Sequence, residues 1–124
     1  MTMRESIVAA RIKGPLRHVD GAWEFEFRFG ADDPTFAGHF PGRPILPGAY
    51  QIEMLRAAAE WALDCSLAVR EVPKAKFLRP ILPDETVSMD LNLSKEGDTI
   101  RAQARFSVLG QRAGETVLVL WPRE

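Results

Sequence analysis

Cysteine, long apolar runs and an excess of basic residues are all scarce or missing in this chain of 124 residues. The single cysteine, Cys65, cannot form a disulfide within the chain, which suits a reducing compartment. No segment reaches the roughly 18 apolar residues that a membrane-spanning helix needs. Residues 1–6 lack the apolar stretch of a signal peptide. The sequence therefore predicts a cytoplasmic protein without a membrane span.

The balance of charge disfavours one large class of partner. Lysine and arginine number 16 against 17 acidic residues, and the formal net charge is −1. Nucleic-acid-binding domains usually carry a basic excess, so no nucleic-acid partner is expected. The length fits a single domain over residues 1–124. Its core would be modest, so association with further copies would help stability.

Alternation of apolar and polar residues predicts most of the strands. Aromatic and charged residues alternate from Trp23 to Phe29, which gives a strand one buried face and one wet face. Glu96-Gly97-Asp98 is a turn signal between two further alternating runs, so these should form a hairpin. The remaining predicted strands cover residues 87–93, 100–108 and 116–121, with weaker candidates at 7–12 and 68–78.

One segment has the pattern of a helix. From Pro47 to about Asp64 the chain is rich in Ala, Leu and Met, and no Gly or Pro interrupts it after Gly48. Its apolar residues cover more than half of the helix circumference, so other structure must wrap it. The only available wrapper is the sheet. We therefore predict an α+β layout, with two strands, one long helix and then several strands in chain order.

Two motifs point to a known family. Residues 38–48 read Gly-His-Phe-Pro-Gly-Arg-Pro-Ile-Leu-Pro-Gly, and Glu53 follows His39 by fourteen positions. Residues 76–84 read Lys-Phe-Leu-Arg-Pro-Ile-Leu-Pro-Asp. Both motifs resemble those of the β-hydroxyacyl-acyl-carrier-protein dehydratases, the FabZ and FabA family. The resemblance implies the hotdog fold, a single domain in which one long central helix is wrapped by a curved antiparallel sheet.

The resemblance also implies a reaction, the dehydration of 3-hydroxyacyl thioesters to trans-2-enoyl thioesters. His39 would remove the α-proton, since a neutral imidazole suits that task, and Glu53 would protonate the leaving hydroxyl. No metal and no organic cofactor is needed. In the family the histidine and the acid of one site come from different subunits, so a homodimer or a higher even-numbered oligomer is expected. The substrate would arrive on the phosphopantetheine arm of an acyl carrier protein.

The start of the helix supplies candidates for binding the thioester. Pro47 has no N–H, so Gly48 and Ala49 are the first available donors to a developing oxyanion. Phe40, Tyr50 and Met54 are candidates for contact with the substrate, and from sequence Tyr50 and Met54 cannot be told from ordinary core. A basic patch for the acidic carrier protein is drawn from Arg43, Lys74, Lys76 and Arg79. A solvated strand face explains these four residues equally well.

Other interpretations stay open. His39 alone could be a hydrogen-bonded loop histidine, although the long motif favours catalysis. Glu53 could belong to a charged stripe on the helix and pair with Arg56, three residues on. The family commonly has Gln where this chain has Ala57. Two further functions share the fold: an acyl thioesterase, and a non-catalytic acyl-binding or scaffolding subunit.

Overall fold

The computed structural model describes residues 1–37 and 42–123. Two helices, one 3₁₀ turn and six strands follow one another along the chain. In order they are α1 (Met3–Ala10), β1 (Arg11–Arg17), β2 (Trp23–Arg28), the 3₁₀ turn (Pro34–Phe36), α2 (Gly48–Leu63), β3 (Leu67–Phe77), β4 (Thr86–Glu96), β5 (Thr99–Val108) and β6 (Gln111–Pro122).

The strands form one antiparallel sheet in the order β1-β2-β4-β5-β6-β3. Helix α2 contacts β1, β3, β4, β5 and β6, so the sheet curves around it. This is the predicted α+β hotdog arrangement, and its hairpin through Gly97 is formed. Of the helices that the structure describes, none is long and apolar enough to cross a membrane.

The core lies between α2 and the inner face of the sheet. Met89 of β4 pairs across from Phe106 of β5, and Leu91 pairs with Ala104; all four side chains are buried. Alternate residues of a strand point to one face, so this register places the buried apolar residues of the hairpin on the inner face of the sheet. On α2 the buried residues include three consecutive alanines, 57–59, whose small side chains let the sheet approach closely.

The N-terminal prediction is wrong in one respect. Residues 7–12 were expected to form a strand, but α1 extends to Ala10 and strand β1 begins only at Arg11. The reason is a capping box: Thr2 N–H donates to the Glu5 carboxylate (2.7 Å) and Glu5 N–H donates to the Thr2 hydroxyl (3.1 Å). Ile7 and Ala10, three residues apart, then face the core from one side of the helix.

Candidate active site

Two of the predicted site residues cannot be placed. His39 and Phe40 lie in residues 38–41, outside the described part of the chain. The general-base role of His39 and the substrate contact of Phe40 therefore stay predictions. The described site is built around the start of α2 and the segment that follows β3.

The start of α2 has backbone N–H groups without acceptors among the described residues. Leu46 N–H donates to the carbonyl of Ile81 (2.8 Å), which ties the preceding loop to the segment after β3. Pro47 is the extended N-cap residue and provides no side-chain cap. No described residue accepts a hydrogen bond from the backbone N–H of Gly48 or Ala49. These two donors, at the positive end of a helix of 16 residues, are free to bind an oxyanion.

A cavity of about 310 Å³ lies beside these donors. Gly48 is at its floor, under the ring of Phe77: a Cβ on Gly48 would come within 2.8 Å of the Phe77 Cζ atom. Glycine therefore permits a close approach that any other residue would block. The lining consists of Ile45, Leu46, Gly48, Gln51 and residues 77–81.

The other predicted substrate contacts lie elsewhere. Met54 is fully buried in the core. Tyr50 is half-buried, and its ring meets that of Phe29 edge to face with centroids 6.0 Å apart. Neither Met54 nor Tyr50 is among the described residues that line the cavity. Their expected role in holding an acyl chain stays a prediction.

Glu53 belongs to a compact cluster of charges, which we call the α2 charge cluster: Arg4, Glu53, Arg56 and Glu60. The Arg56 guanidinium donates two hydrogen bonds to the Glu53 carboxylate, one of them from Nε at 2.9 Å. It also donates to Glu60 (3.2 Å) and to the carbonyl of Leu67 (2.9 Å). The i,i+3 pair named above as the alternative for Glu53 is thus formed.

The cluster joins three elements of the fold. Glu60 accepts from the N–H of Leu67 at 2.8 Å, which fixes the start of β3 to α2. Arg4 of α1 lies 2.8 Å from Glu60 and 3.7 Å from Glu53. The side chains of Glu53, Arg56 and Glu60 are only 19%, 18% and 10% exposed. Half-buried charges of this kind need their partners, so the cluster has a structural role whatever else Glu53 does.

The electrostatics follow from these contacts. The hydrogen bond to Glu53 raises the pKa of Arg56, so this cation stays charged. Burial raises the pKa of Glu60, but the Leu67 N–H and the guanidinium groups of Arg4 and Arg56 outweigh it. The net pKa of Glu60 is lowered. As arranged in the described chain, Glu53 is a carboxylate held by a cation, and such a group accepts hydrogen bonds.

The predicted basic patch is only partly free. Lys74 pairs with Glu115 at 3.0 Å, and Arg79 pairs with Glu85 at 3.0 Å. Arg43 and Lys76 are exposed. Two of the four positive charges are therefore neutralised locally, and a carrier-protein contact at this surface stays a prediction.

Two residues of the site were missed in the sequence. Gln51 is a buried polar residue on the first turn of α2, and Arg4 closes the charge cluster from α1. Gln51 could have been noticed because it interrupts the apolar set of the helix close to Gly48. Arg4 could not, because no helix was predicted over residues 3–10 and no short-range pattern links Arg4 to Glu60.

The fold and the open helix start together define a hotdog-fold domain. Residues 16–117 match the family model ApeI-like, described as ApeI dehydratase, and the chain belongs to this family.

Curated relatives agree with this family. The 3-hydroxyacyl-[acyl-carrier-protein] dehydratase FabZ of Cereibacter sphaeroides is 31% identical over 94 residues, covering 68% of this chain and 61% of that protein. The FabZ of Ehrlichia canis is 30% identical over 88 residues, covering 62% and 60%. The chain thus spans about three fifths of the length of these two relatives.

Solved structures support the fold alone. The dehydratase heterocomplex ApeI:P from Xenorhabdus doucetiae superposes with a TM-score of 0.74 at 23% identity, covering 90% of this chain and 96% of that chain. A hypothetical thioesterase with coenzyme A from Streptococcus pneumoniae gives 0.66 at 10% identity, covering 90% and 86%. Dehydratases and thioesterases share this fold, so the activity has to be argued from the site.

Proposed function

We propose that this chain dehydrates 3-hydroxyacyl thioesters on an acyl carrier protein to trans-2-enoyl thioesters, in fatty-acid, polyketide or aryl polyene biosynthesis. The observation that carries the proposal is the uncapped start of α2, where no described residue accepts from the N–H groups of Gly48 and Ala49 and where Gly48 lines a cavity. Such donors stabilise the enolate oxygen that forms when the α-proton of a thioester is removed.

His39 is the proposed base. It precedes α2 by nine residues, in the motif shared with the dehydratase family. Its unperturbed pKa near 6.5 leaves much of the imidazole neutral at physiological pH. The positive end of the α2 dipole would favour the neutral form further if the ring lies near it.

Glu53 is the proposed acid for the leaving hydroxyl. It lies on the second turn of α2, but its carboxylate is held by Arg56. Proton donation therefore requires Glu53 to turn away from Arg56 when substrate binds and to take up a proton.

Pairing of two copies is proposed at the edge strand β3. In the described sheet β3 pairs only with β6, and its other edge carries unpaired backbone groups. Val69 and Val72 on this strand are 38% and 45% exposed. A long edge strand with exposed apolar side chains is a natural surface for strand-to-strand association. A homodimer built there could place His39 of one copy near Glu53 of the other.

The test is an assay with a 3-hydroxyacyl thioester on wild type, His39→Ala and Glu53→Gln. Loss of general acid or base catalysis should lower kcat by about 10²- to 10⁴-fold in each variant. Mixing the two variants as unfolded chains and refolding them should restore about a quarter of wild-type activity. Half of the dimers are then mixed, and each mixed dimer holds one intact site.

Each other outcome has a distinct meaning. Full activity in both variants would sink the dehydratase assignment. Release of free thiol without an enoyl product would replace it by a thioesterase. Inactive variants that do not complement each other would contradict a site shared between subunits.

The Glu53–Arg56 pair favours a second candidate, an acyl-binding subunit that lacks a working acid of its own. The similar Xenorhabdus protein is described as part of a dehydratase heterocomplex, and in this candidate a different subunit would supply the acid. In that case wild type alone would bind a 3-hydroxyacyl thioester without turnover, and Glu53→Gln would bind it equally well.

A further inference from the structure

Gln51 is an unexplained polar group beside the open start of α2. Its side chain is 3% exposed, and no described residue hydrogen-bonds its buried Oε1 atom. A buried amide without partners costs about 1–3 kcal/mol relative to a paired one. Buried polar groups are nearly always paired, so an orphan of this kind calls for a ligand, a water or a partner.

The neighbouring strand makes room for this side chain. Gly114 lies inside β6, where glycine weakens a strand and commonly marks a close approach of another group. A Cβ on Gly114 would lie 2.5 Å from the Gln51 Oε1 atom and 2.9 Å from the carbonyl oxygen of Lys76. Alanine at this position would therefore displace either Gln51 or the backbone of β3. The backbones of β6 and β3 therefore both leave space for the Gln51 side chain.

Gln51 and Gly48 line the same cavity, one helical turn apart. Three residues along a helix correspond to about 4.5 Å. Phe77 and Leu78, which are 50% and 52% exposed, form its outer wall. A ligand entering past these two apolar side chains would reach Gly48 and Gln51 together.

We propose that the Gln51 carboxamide is a specificity-determining group that hydrogen-bonds the amide of the pantetheine arm nearest the thioester. This inference rests on the proposed function, because it places the thioester carbonyl at the N–H of Gly48. In that arm two methylenes separate the sulfur from the first amide, so the carbonyl oxygen and the amide lie roughly 5 Å apart. The backbone rise from Gly48 to Gln51 along the helix axis, about 4.5 Å, is of the same order.

The chemistry of the two groups is complementary. A carboxamide both donates and accepts, and so does a secondary amide. The methylenes between sulfur and amide would lie against Phe77 and Leu78. The acyl chain is apolar beyond its hydroxyl group and offers Gln51 no further partner.

The experiment compares two thioesters with the same 3-hydroxyacyl group. The N-acetylcysteamine thioester carries the amide, and the S-ethyl thioester lacks it. In wild type, kcat/KM should favour the amide-bearing substrate by about tenfold, the worth of one such hydrogen bond. In Gln51→Met, which keeps the volume, this preference should vanish through a rise in KM with kcat unchanged.

Controls separate this role from a structural one. Gln103→Met makes the same change on β5 and should keep the wild-type preference. An equal loss on both substrates in Gln51→Met, or an unchanged preference, would overturn the proposal. If Gln51→Met does not fold, Gln51→Asn withdraws the amide by one methylene and should lose the preference in the same way.

Failure of the proposed function gives a different signal. If wild type turns over neither thioester, the dehydratase assignment falls, and binding is measured instead by calorimetry. Wild type should then bind the N-acetylcysteamine thioester about tenfold more tightly than the S-ethyl thioester, and Gln51→Met should bind both equally. Equal binding by wild type would overturn the role of Gln51.

Discussion

The polar groups on the first turn of α2 are unpaired, whereas those on the three turns that follow are paired. At the first turn, the N–H groups of Gly48 and Ala49 and the Oε1 atom of Gln51 lack hydrogen-bond partners among the described residues. Farther along, the single side chain of Arg56 donates hydrogen bonds to the carboxylates of Glu53 and Glu60 and to the carbonyl of Leu67.

The contrast separates binding from stability. Unpaired donors beside a cavity cost stability and are useful only to a ligand, whereas paired, half-buried charges hold elements together. Glu53 lies at the border between the two regions, because it is near the first turn in sequence but is bonded into the cluster. The catalytic role proposed for Glu53 therefore requires that its side chain leave the cluster, whereas the role proposed for Gly48 requires no such movement.

Of three substitutions that test this contrast, Gly48→Ala should have the largest effect, and it should act on activity and not on stability. The added Cβ would lie 2.8 Å from the Phe77 ring and hold a thioester away from the backbone N–H. We expect kcat/KM for a 3-hydroxyacyl thioester to fall about 100-fold, as for a misplacement of 1 Å. Since alanine favours helix, stability in urea should stay within about 1 kcal/mol. Gly110→Asn, where a Cβ meets nothing within 4 Å, is the control. Wild-type activity in Gly48→Ala would exclude this close approach.

Glu60→Gln should show the reverse pattern. It removes the charge that Arg4 and Arg56 share while keeping the shape of the side chain. We expect the free energy of unfolding, measured in urea, to fall by about 1–3 kcal/mol, which is the cost of leaving buried partners unsatisfied. Activity should change far less than in Gly48→Ala. A large loss of activity with unchanged stability would show that Glu60 belongs to the catalytic region instead.

The same variant should alter the response to acid. Because the pKa of Glu60 is lowered in the folded state, its stabilising effect is complete above its usual pKa of 4.5. That effect is lost as the pH falls from there through the lowered value. Wild type should therefore lose stability below pH 4.5 more steeply than Glu60→Gln. Parallel curves from the two proteins would contradict the assignment.

Arg4→Gln should have the smallest effect and would show how much α1 contributes to the stability of the α2 charge cluster. The Arg4 side chain is 39% exposed, and solvent screens ion pairs at such positions. We expect a loss of at most about 1 kcal/mol in urea unfolding and no change in turnover. A loss equal to that of Glu60→Gln would mean that α1 is as integral to the cluster as β3.

Much of the fold was predictable because it follows from patterns among residues that are close in sequence. Alternation placed β2, β4 and β5 to within a few residues, and the helix was predicted from Pro47 to about Asp64, against Gly48–Leu63 in the structure. Helix α1 was missed because a short apolar run fits either period, and the Thr2–Glu5 capping box decided between them.

The candidate site was predictable only in part. The donors of Gly48 follow from the position of a proline before a helix, so the sequence was enough. Whether Glu53 bonds to Arg56 could be posed as an alternative but not decided, because spacing alone allows both arrangements. The orphan amide of Gln51 depends on how β6 approaches α2 at Gly114, which no local pattern reveals.

The amino-acid sequence alone predicts the α+β class, the long helix, the first backbone donors at its start and the resemblance to the dehydratases. Each of these follows from periodicity or from a motif confined to a few neighbouring residues. The tertiary structure adds the partners that come from outside the helix, because Arg4 belongs to α1 and the Leu67 backbone to β3. It brings Arg4 to Glu60, which Arg56 already meets within α2, and it leaves the Oε1 atom of Gln51 without a hydrogen-bond partner among the described residues.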